Sequence, residues 1–331
     1  MATRKGKQLA KILISGDDHL KSKNHGQHID YAKESFNYFK GLGDLCIERG
    51  ITHWIGLGDL TYGRFNSLEY RDLVEEEFRR QNNILKGNRW IIKGNHDSAS
   101  YGMTEYEYFL KKGYFKGSQI LQIGNLNLSM VDFGKYNDTE VKIEPDKENI
   151  ILTHGYFAFK GGKYNFGEPT ILDDMKQWAG ASMIVCGHIH TKAALEGVII
   201  GEDGEGHKTS VIYLPCLSRP AYIQAGNPEK GEVMEITVYE NKVESNIIEL
   251  DLLPLEQSFN IEKIKEEQAK KEAAAGKRVN IQDIVKELSS YNDGKFSFSN
   301  PEDIIMAQTG VPDLVKKKAC DYLKYAADDV V

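Results

Sequence analysis

The chain has 331 residues, 40% of them hydrophobic and 27% charged, and carries a formal net charge of −7. That composition suits a globular protein with a buried core and leaves room for one large domain plus an appendage. The acidic balance excludes a protein that coats nucleic acid by bulk electrostatics, although two bound dications would bring about four positive charges to wherever a phosphate must sit.

Along the chain, short β-branched runs predict strands, and each of five runs into a polar motif. Residues 11–15 lead to Asp17-Asp18-His19, and residues 51–57 to Gly58-Asp59. Residues 90–93 lead to Gly94-Asn95-His96-Asp97, residues 150–153 to His154, and residues 183–186 to Gly187-His188-Ile189-His190. Predicted helices over residues 29–49, 68–85 and 106–112, stopped by Gly50, Gly87 and Gly113, alternate with these runs. Strands alternating with helices and ending in polar residues are the pattern of an α/β sheet with its site at the carboxyl edge.

After His190 the texture changes. Residues 193–200 and 209–214 read as a hairpin around Glu202 to Gly206, and residues 231–250 as another turning near Glu240 and Asn241. This antiparallel tail predicts completion of a second sheet. From about residue 255 a charged helix over residues 261–275 is broken by Gly276-Lys277-Arg278, and further helices are predicted over residues 281–288, 301–308 and 312–327, with Pro301 and Pro312 suiting first turns. The division read from the sequence is a domain of residues 1–254 and a helical appendage of residues 255–331. Cys46, Cys186, Cys216 and Cys320 show no C-x-x-C spacing or disulfide framework, and Cys186 and Cys216, in strand-like apolar runs, read as buried free thiols, which fits a reducing cytoplasm. The apolar stretch Ile12 to Ile14 is too short for a signal peptide, and no run approaches membrane-spanning length, so no membrane association is expected.

Taken singly these motifs are weak; Gly94-Asn95 alone is also a hairpin-turn signal. In their order they read D-x-H, G-D, G-N-H-D, H and G-H-x-H, which resembles the calcineurin-like metallophosphoesterase superfamily over about the first three quarters of the chain. The resemblance implies an α/β fold: a four-layer αββα sandwich of two mixed β-sheets, followed here by the small C-terminal helical appendage. It implies two divalent ions, one on Asp17, His19, Asp59 and His190, the other on Asp59, Asn95, His154 and His188, with Asp59 bridging. The mixture of carboxylate, amide and imidazole ligands favours manganese, with iron, magnesium and zinc as alternatives. Thiolates are absent from the motifs, which weighs against a closed structural zinc site. A water between the ions, acidified by them, is the expected nucleophile. His96 is assigned to the leaving group as general acid or hydrogen-bond donor, and Asp97 to orienting His96. His25, His28, His53 and His207 fall outside the template and read as ordinary polar residues, with His25 and His28 as candidates to line the cleft.

The motifs do not select a substrate, but Asp17-Asp18-His19-Leu20 and the stretch from Tyr213 to Glu244 resemble the SbcD-type DNA double-strand-break repair nuclease subunits. That branch implies a DNA exo- or endonuclease acting in repair, recombination or degradation. It also implies a coiled-coil SMC-like ATPase partner docked by the segment beyond the nuclease domain; a cap over that domain is the equal alternative for the helices here, and a homodimer stays open. Tyr62 stands where the branch often carries His or Asp. With Arg64 it is read as a phosphate contact, against a solvated loop. Tyr156, Phe157, Phe159, Tyr164 and Phe166, interleaved with Lys160 and Lys163, either stack unpaired bases or pack on one another. Two other functions remain: a phosphodiesterase or phosphatase for small nucleotides, which would have a closed pocket, and a non-catalytic scaffold, against which the intact ligand set stands.

Overall fold

The computed structural model describes residues 6–23, 28–62, 66–98, 102–161, 168–190, 192–219 and 230–275. Helices expected beyond residue 275 lie outside the described residues. The chain divides into two compact units, Met1–Ile264 and Lys265–Val331.

In the first unit, strand β1 (Gln8–Ser15), helix α1 (Tyr31–Arg49), β2 (His53–Gly56), α2 (Leu68–Leu85) and β3 (Arg89–Ile91) form two successive crossovers, so that β1, β2 and β3 run parallel. The helices start where side chains satisfy their first amides. Asp30 accepts from Lys33 at α1 and Ser67 from Tyr70 at α2, while Thr104 and Glu107 form a capping box on α3 (Glu105–Lys111). The Asp30 cap is why α1 begins at Tyr31 rather than at the expected residue 29.

The second sheet contains β4 (Ile120–Ile123), β5 (Leu126–Val131), β6 (Glu148–His154), β9 (Met183–Gly187), β10 (Ala193–Ile200) and β11 (Gly206–Tyr213), in the order β10-β11-β9-β6-β5-β4. β7 (Phe157–Ala158) and β8 (Thr170–Ile171) pair separately. The β4–β5 hairpin, which the motif-ending strands do not predict, turns at Gly124-Asn125, a two-residue hairpin signal between apolar residues. β12 (Lys230–Tyr239) and β13 (Val243–Asp251) form the last hairpin.

The two late hairpins do not share a sheet, which corrects the expectation that the antiparallel tail completes a second one. β11 joins β9, whereas β12 returns to lie antiparallel to β1, giving a first sheet of order β13-β12-β1-β2-β3. The reason is visible in β12, which is buried on both faces, with Glu235 on the helix side paired to Arg49 of α1. Val233 packs among the helices, while Met234, Ile236 and Val238 pack between the sheets.

Both sheets are mixed, and three apolar layers hold them. Ile12, Ile14, Ile55 and Ile92 face Leu128, Met130, Leu152 and Val185 across the sheet–sheet interface. On the outer face of the first sheet, Leu13, Trp54 and Ile91 meet Phe39, Phe78 and Phe109 of the helices. Over the second sheet, Ile151, Ile184 and Val211 are covered by Phe157, Leu172 and Trp178, which come from the β7–β8 pair and two short 3-10 turns, Leu172–Asp174 and Lys176–Trp178. That outer layer is thus built without an α-helix among the described residues. Helices α4 (Leu255–Ser258) and α5 (Ile261–Ala275) follow, with Phe259 and Ile264 buried. No described helix is long and apolar enough to cross a membrane.

Candidate metal centre

The carboxyl ends of β1, β2, β3, β6 and β9 deliver the five motifs to one place. Asp17, His19 and His190 form one group of potential ligand atoms, and Asp59, His154 and His188 a second, each within 4.8 Å. Asn95 joins the second group, its Oδ1 lying 2.9 Å from both His154 Nε2 and His188 Nδ1. Asp59 Oδ2 lies between the groups, 3.3 Å from His154 Nε2 and 3.8 Å from His19 Nε2.

The backbone is bent to achieve this. His19, Asp59 and His188 have φ of 47°, 47° and 87°, a left-handed region that residues with a Cβ seldom occupy and that costs about 1–3 kcal/mol each. Cross-links between turns hold them. The His19 amide donates to the Asp59 carbonyl at 2.9 Å, and the His188 amide donates to the Asp17 carboxylate, 3.1 Å from either oxygen. Two glycines leave the necessary room. A Cβ on Gly58 would sit 2.6 Å from His154 Nδ1, and one on Gly94 would strike the Asp59 carboxylate.

The donor set fits divalent cations. A carbonyl only accepts, so the 2.8 Å contact from His154 Nδ1 to the Leu57 carbonyl puts the proton on Nδ1 and aims Nε2 at the oxygens of Asp59 and Asn95. The Nε2 atoms of His19 and His190 face one another at 2.9 Å, with Asp17 Oδ2 3.2 Å from the latter. Lone pairs converging this way call for positive charge between them. The electrostatics agree. Burial would raise the Asp17 and Asp59 carboxyls, but His154 foremost among the neighbouring imidazoles overcomes it, and both lie below the ordinary carboxylate range. Burial pushes His19 down to about 3. His154, which burial alone would lower, is raised to about 9 by Asp17 and Asp59.

His96 is exposed at the mouth, its amide donating to Asp59 Oδ1 at 2.8 Å. Its ring stacks on Tyr62 at 4.9 Å and meets His19 edge-on at 5.3 Å, and Lys21 Nζ lies 4.5 Å from the Tyr62 centroid. The expected pairing of Asp97 with the His96 imidazole is absent. Asp97 Oδ2 instead accepts from the Gly94 and Leu60 amides at 3.0 and 3.3 Å, tying two motif turns together, and burial with the nearby Asp59 raises its carboxyl to about 7. Adjacent residues in a tight turn point apart, so adjacency in the sequence does not bring the Asp97 carboxylate to the His96 ring. Arg64 lies outside the described residues, as do His25, Lys163, Tyr164 and Phe166. The remaining aromatics of that loop lean toward packing: Phe157 is buried against Trp178, and the Phe159 ring covers Gly197.

Three contributions have no motif to announce them. The Tyr31 hydroxyl donates to the His19 carbonyl at 3.0 Å and bonds Ser218 Oγ at 2.9 Å. Arg219 Nη2 donates to Glu34, the Leu253 carbonyl and Ser258, linking α1 to α4 behind that turn. His28 is buried there rather than lining the cleft, bonded to the Arg219 carbonyl at 3.0 Å. Phe133 follows β5 and packs against the His154 and His188 rings.

Residues 10–192, more than half of the chain, match the family described as calcineurin-like phosphoesterase. Among solved structures, the chain is similar to a dimetal phosphatase from Danio rerio (TM-score 0.42, 9% identity, covering 75% of this chain and 100% of that one). It is also similar to Vacuolar Protein Sorting 29 from Cryptosporidium parvum (TM-score 0.35, 15% identity, covering 74% and 100%). No curated protein matches the chain.

Proposed function

This chain belongs to the calcineurin-like phosphoesterase family and is a metal-dependent phosphoester hydrolase, and on that premise we propose that it is a nuclease cleaving the phosphodiester backbone of DNA in repair, recombination or degradation. In this reading Asp17, His19, Asp59 and His190 hold one ion and Asp59, Asn95, His154 and His188 the other. Manganese suits that ligand set best. When bound, the ions supply Lewis-acid charge and an acidified water.

The chain's own residues do the rest. The Asp59 position between the two ligand groups suits a shared carboxylate. Asn95 contributes a neutral oxygen and so leaves the site more positive toward an anionic substrate. The exposed His96 imidazole, anchored by its own amide on Asp59, is poised to donate a proton or hydrogen bond to the departing oxygen. Tyr62, stacked on that ring, limits its swing. Asp97 holds the turns that carry Asp59 and Asn95.

The observation that carries hydrolysis is the convergence of seven candidate ligands from five strand ends beside one exposed imidazole. DNA as substrate rests on the likeness of Asp17-Asp18-His19-Leu20 and of the stretch from Tyr213 to Glu244 to SbcD-type subunits. The same likeness supports a coiled-coil SMC-like ATPase as partner, with a second copy of this chain as the alternative. A reducing cytoplasmic setting is supported by Cys46, Cys186 and Cys216, all buried free thiols.

The test is incubation with manganese and end-labelled linear duplex, its single strand, or an aryl phosphodiester, with His96→Ala beside the parent. DNA cleavage that is lost in the variant supports the nuclease reading. Hydrolysis of the aryl ester alone, with the ATPase subunit also supplied, moves the assignment to a small-nucleotide phosphodiesterase.

A further inference from the structure

Phe133 is out of place for an apolar residue. It belongs to none of the buried clusters and is 40% exposed, yet it stands against the most buried polar part of the molecule. Its ring lies 5.9 Å from the His154 ring and 5.7 Å from the His188 ring. It is also held firmly. The Phe133 amide donates to the Lys93 carbonyl at 2.9 Å, and the preceding Asp132 carboxylate accepts from the Lys93 amide at 2.8 Å. These bonds pin the turn after β5 to the turn that carries Asn95. Tyr136, whose hydroxyl donates to the His154 carbonyl at 2.9 Å, meets the Phe133 ring edge-on at 6.3 Å.

A large ring kept in water costs about as much as burying it would gain, so a fixed exposed ring beside a phosphate site invites an apolar, flat ligand face. The other aromatic at the mouth, Tyr62, contacts His96 and His19. The two rings therefore border different ligand groups. A phosphodiester lying across both groups would direct its leaving side to His96 and Tyr62 and its retained side to Phe133.

We propose that Phe133 is a stacking platform for a nucleobase on the retained side of the scissile phosphate, which makes this enzyme selective for unpaired nucleotides over esters that lack a base. The proposal rests on the phosphodiesterase reading above and names the substrate feature that the site prefers. A paired base is already stacked in its duplex, so the ring acts on single strands, frayed ends and mismatches.

The test compares two manganese-dependent substrates that release the same para-nitrophenolate, the thymidine ester and the methyl ester of para-nitrophenyl phosphate, together with quenching of a trinucleotide carrying a fluorescent purine analogue. The parent should prefer the thymidine ester. Phe133→Ala and Phe133→Leu should lose about tenfold of that preference, the size of one base–aromatic stack (about 1.4 kcal/mol), and should lose the quenching. Phe133→Trp should keep both. Equal hydrolysis of the two esters by the parent, or a preference and quenching that survive in folded Phe133→Ala and Phe133→Leu, overturns the platform and leaves the phosphodiesterase standing. Hydrolysis of neither ester overturns that reading itself.

Discussion

The two groups of candidate ligands are built in opposite ways. In the group of Asp59, Asn95, His154 and His188, hydrogen bonds orient the rings: His154 is locked by the Leu57 carbonyl, and Asn95 Oδ1 sits between two imidazoles. In the group of Asp17, His19 and His190, the His19 ring lacks such a bond at Nδ1. The His19 backbone is held by its strained φ, by its amide on Asp59 and by the Tyr31 hydroxyl on its carbonyl. A ring oriented by a hydrogen bond at its second nitrogen is pre-organised; one held by packing alone, as His19 is against Tyr62, His96 and His190, has more of its side-chain torsion to lose on binding. The second group should therefore bind its ion more tightly than the first.

The most damaging way to break this contrast is Asp59→Asn, which touches both groups. We expect activity to fall by about a thousandfold or more and metal content to drop by at least one ion per chain, since a shared charge worth several kcal/mol is lost. His96→Ala should reduce turnover by about a hundredfold or more while metal content, read by elemental mass spectrometry, stays at the parent level. A fall in metal content would instead make His96 part of the ligand scaffold. Tyr31→Phe should weaken the looser ion about tenfold in a calorimetric titration and leave the tighter one in place. If both ions weaken equally, the two groups are not separately supported.

The smallest effect sharpens the contrast through protons. His19, pushed down to about 3, is neutral at neutral pH, whereas His154, raised to about 9, is protonated without metal. Filling the second group should release about one proton from His154, whereas His19 releases none on binding, a difference seen as a buffer-dependent binding heat. A raised histidine pKa stabilises the metal-free fold fully below its ordinary 6.5, and that contribution is lost as pH rises through about 9. Thermal unfolding of the metal-free chain should show a decline over that interval that is missing in His154→Phe.

The candidate ligands were legible because each follows an apolar run, so the sequence states both the strand and what stands at its end. Helices α1 and α2 were equally plain from their periodicity and stops. The sheet membership of β12 was not, because the alternation of Met234, Ile236 and Val238 with polar neighbours marks a buried face but not which strand lies beside it. Tyr31 and Phe133 were invisible for a related reason. Tyr31 reads as a helix residue and Phe133 as the end of a strand, and their importance arises from which turns lie beside them in space. Asp97 shows the converse, since next to His96 in sequence is not next to it in the fold.

The most direct test loads the metal-free chain with manganese, counts the ions and records the electron paramagnetic resonance spectrum of parent and Asp59→Asn. The account predicts two ions per chain in the parent with a spin-coupled spectrum, and loss of that coupling in the variant. A single ion per chain, or two that remain magnetically independent in the parent, would contradict a carboxylate-bridged pair.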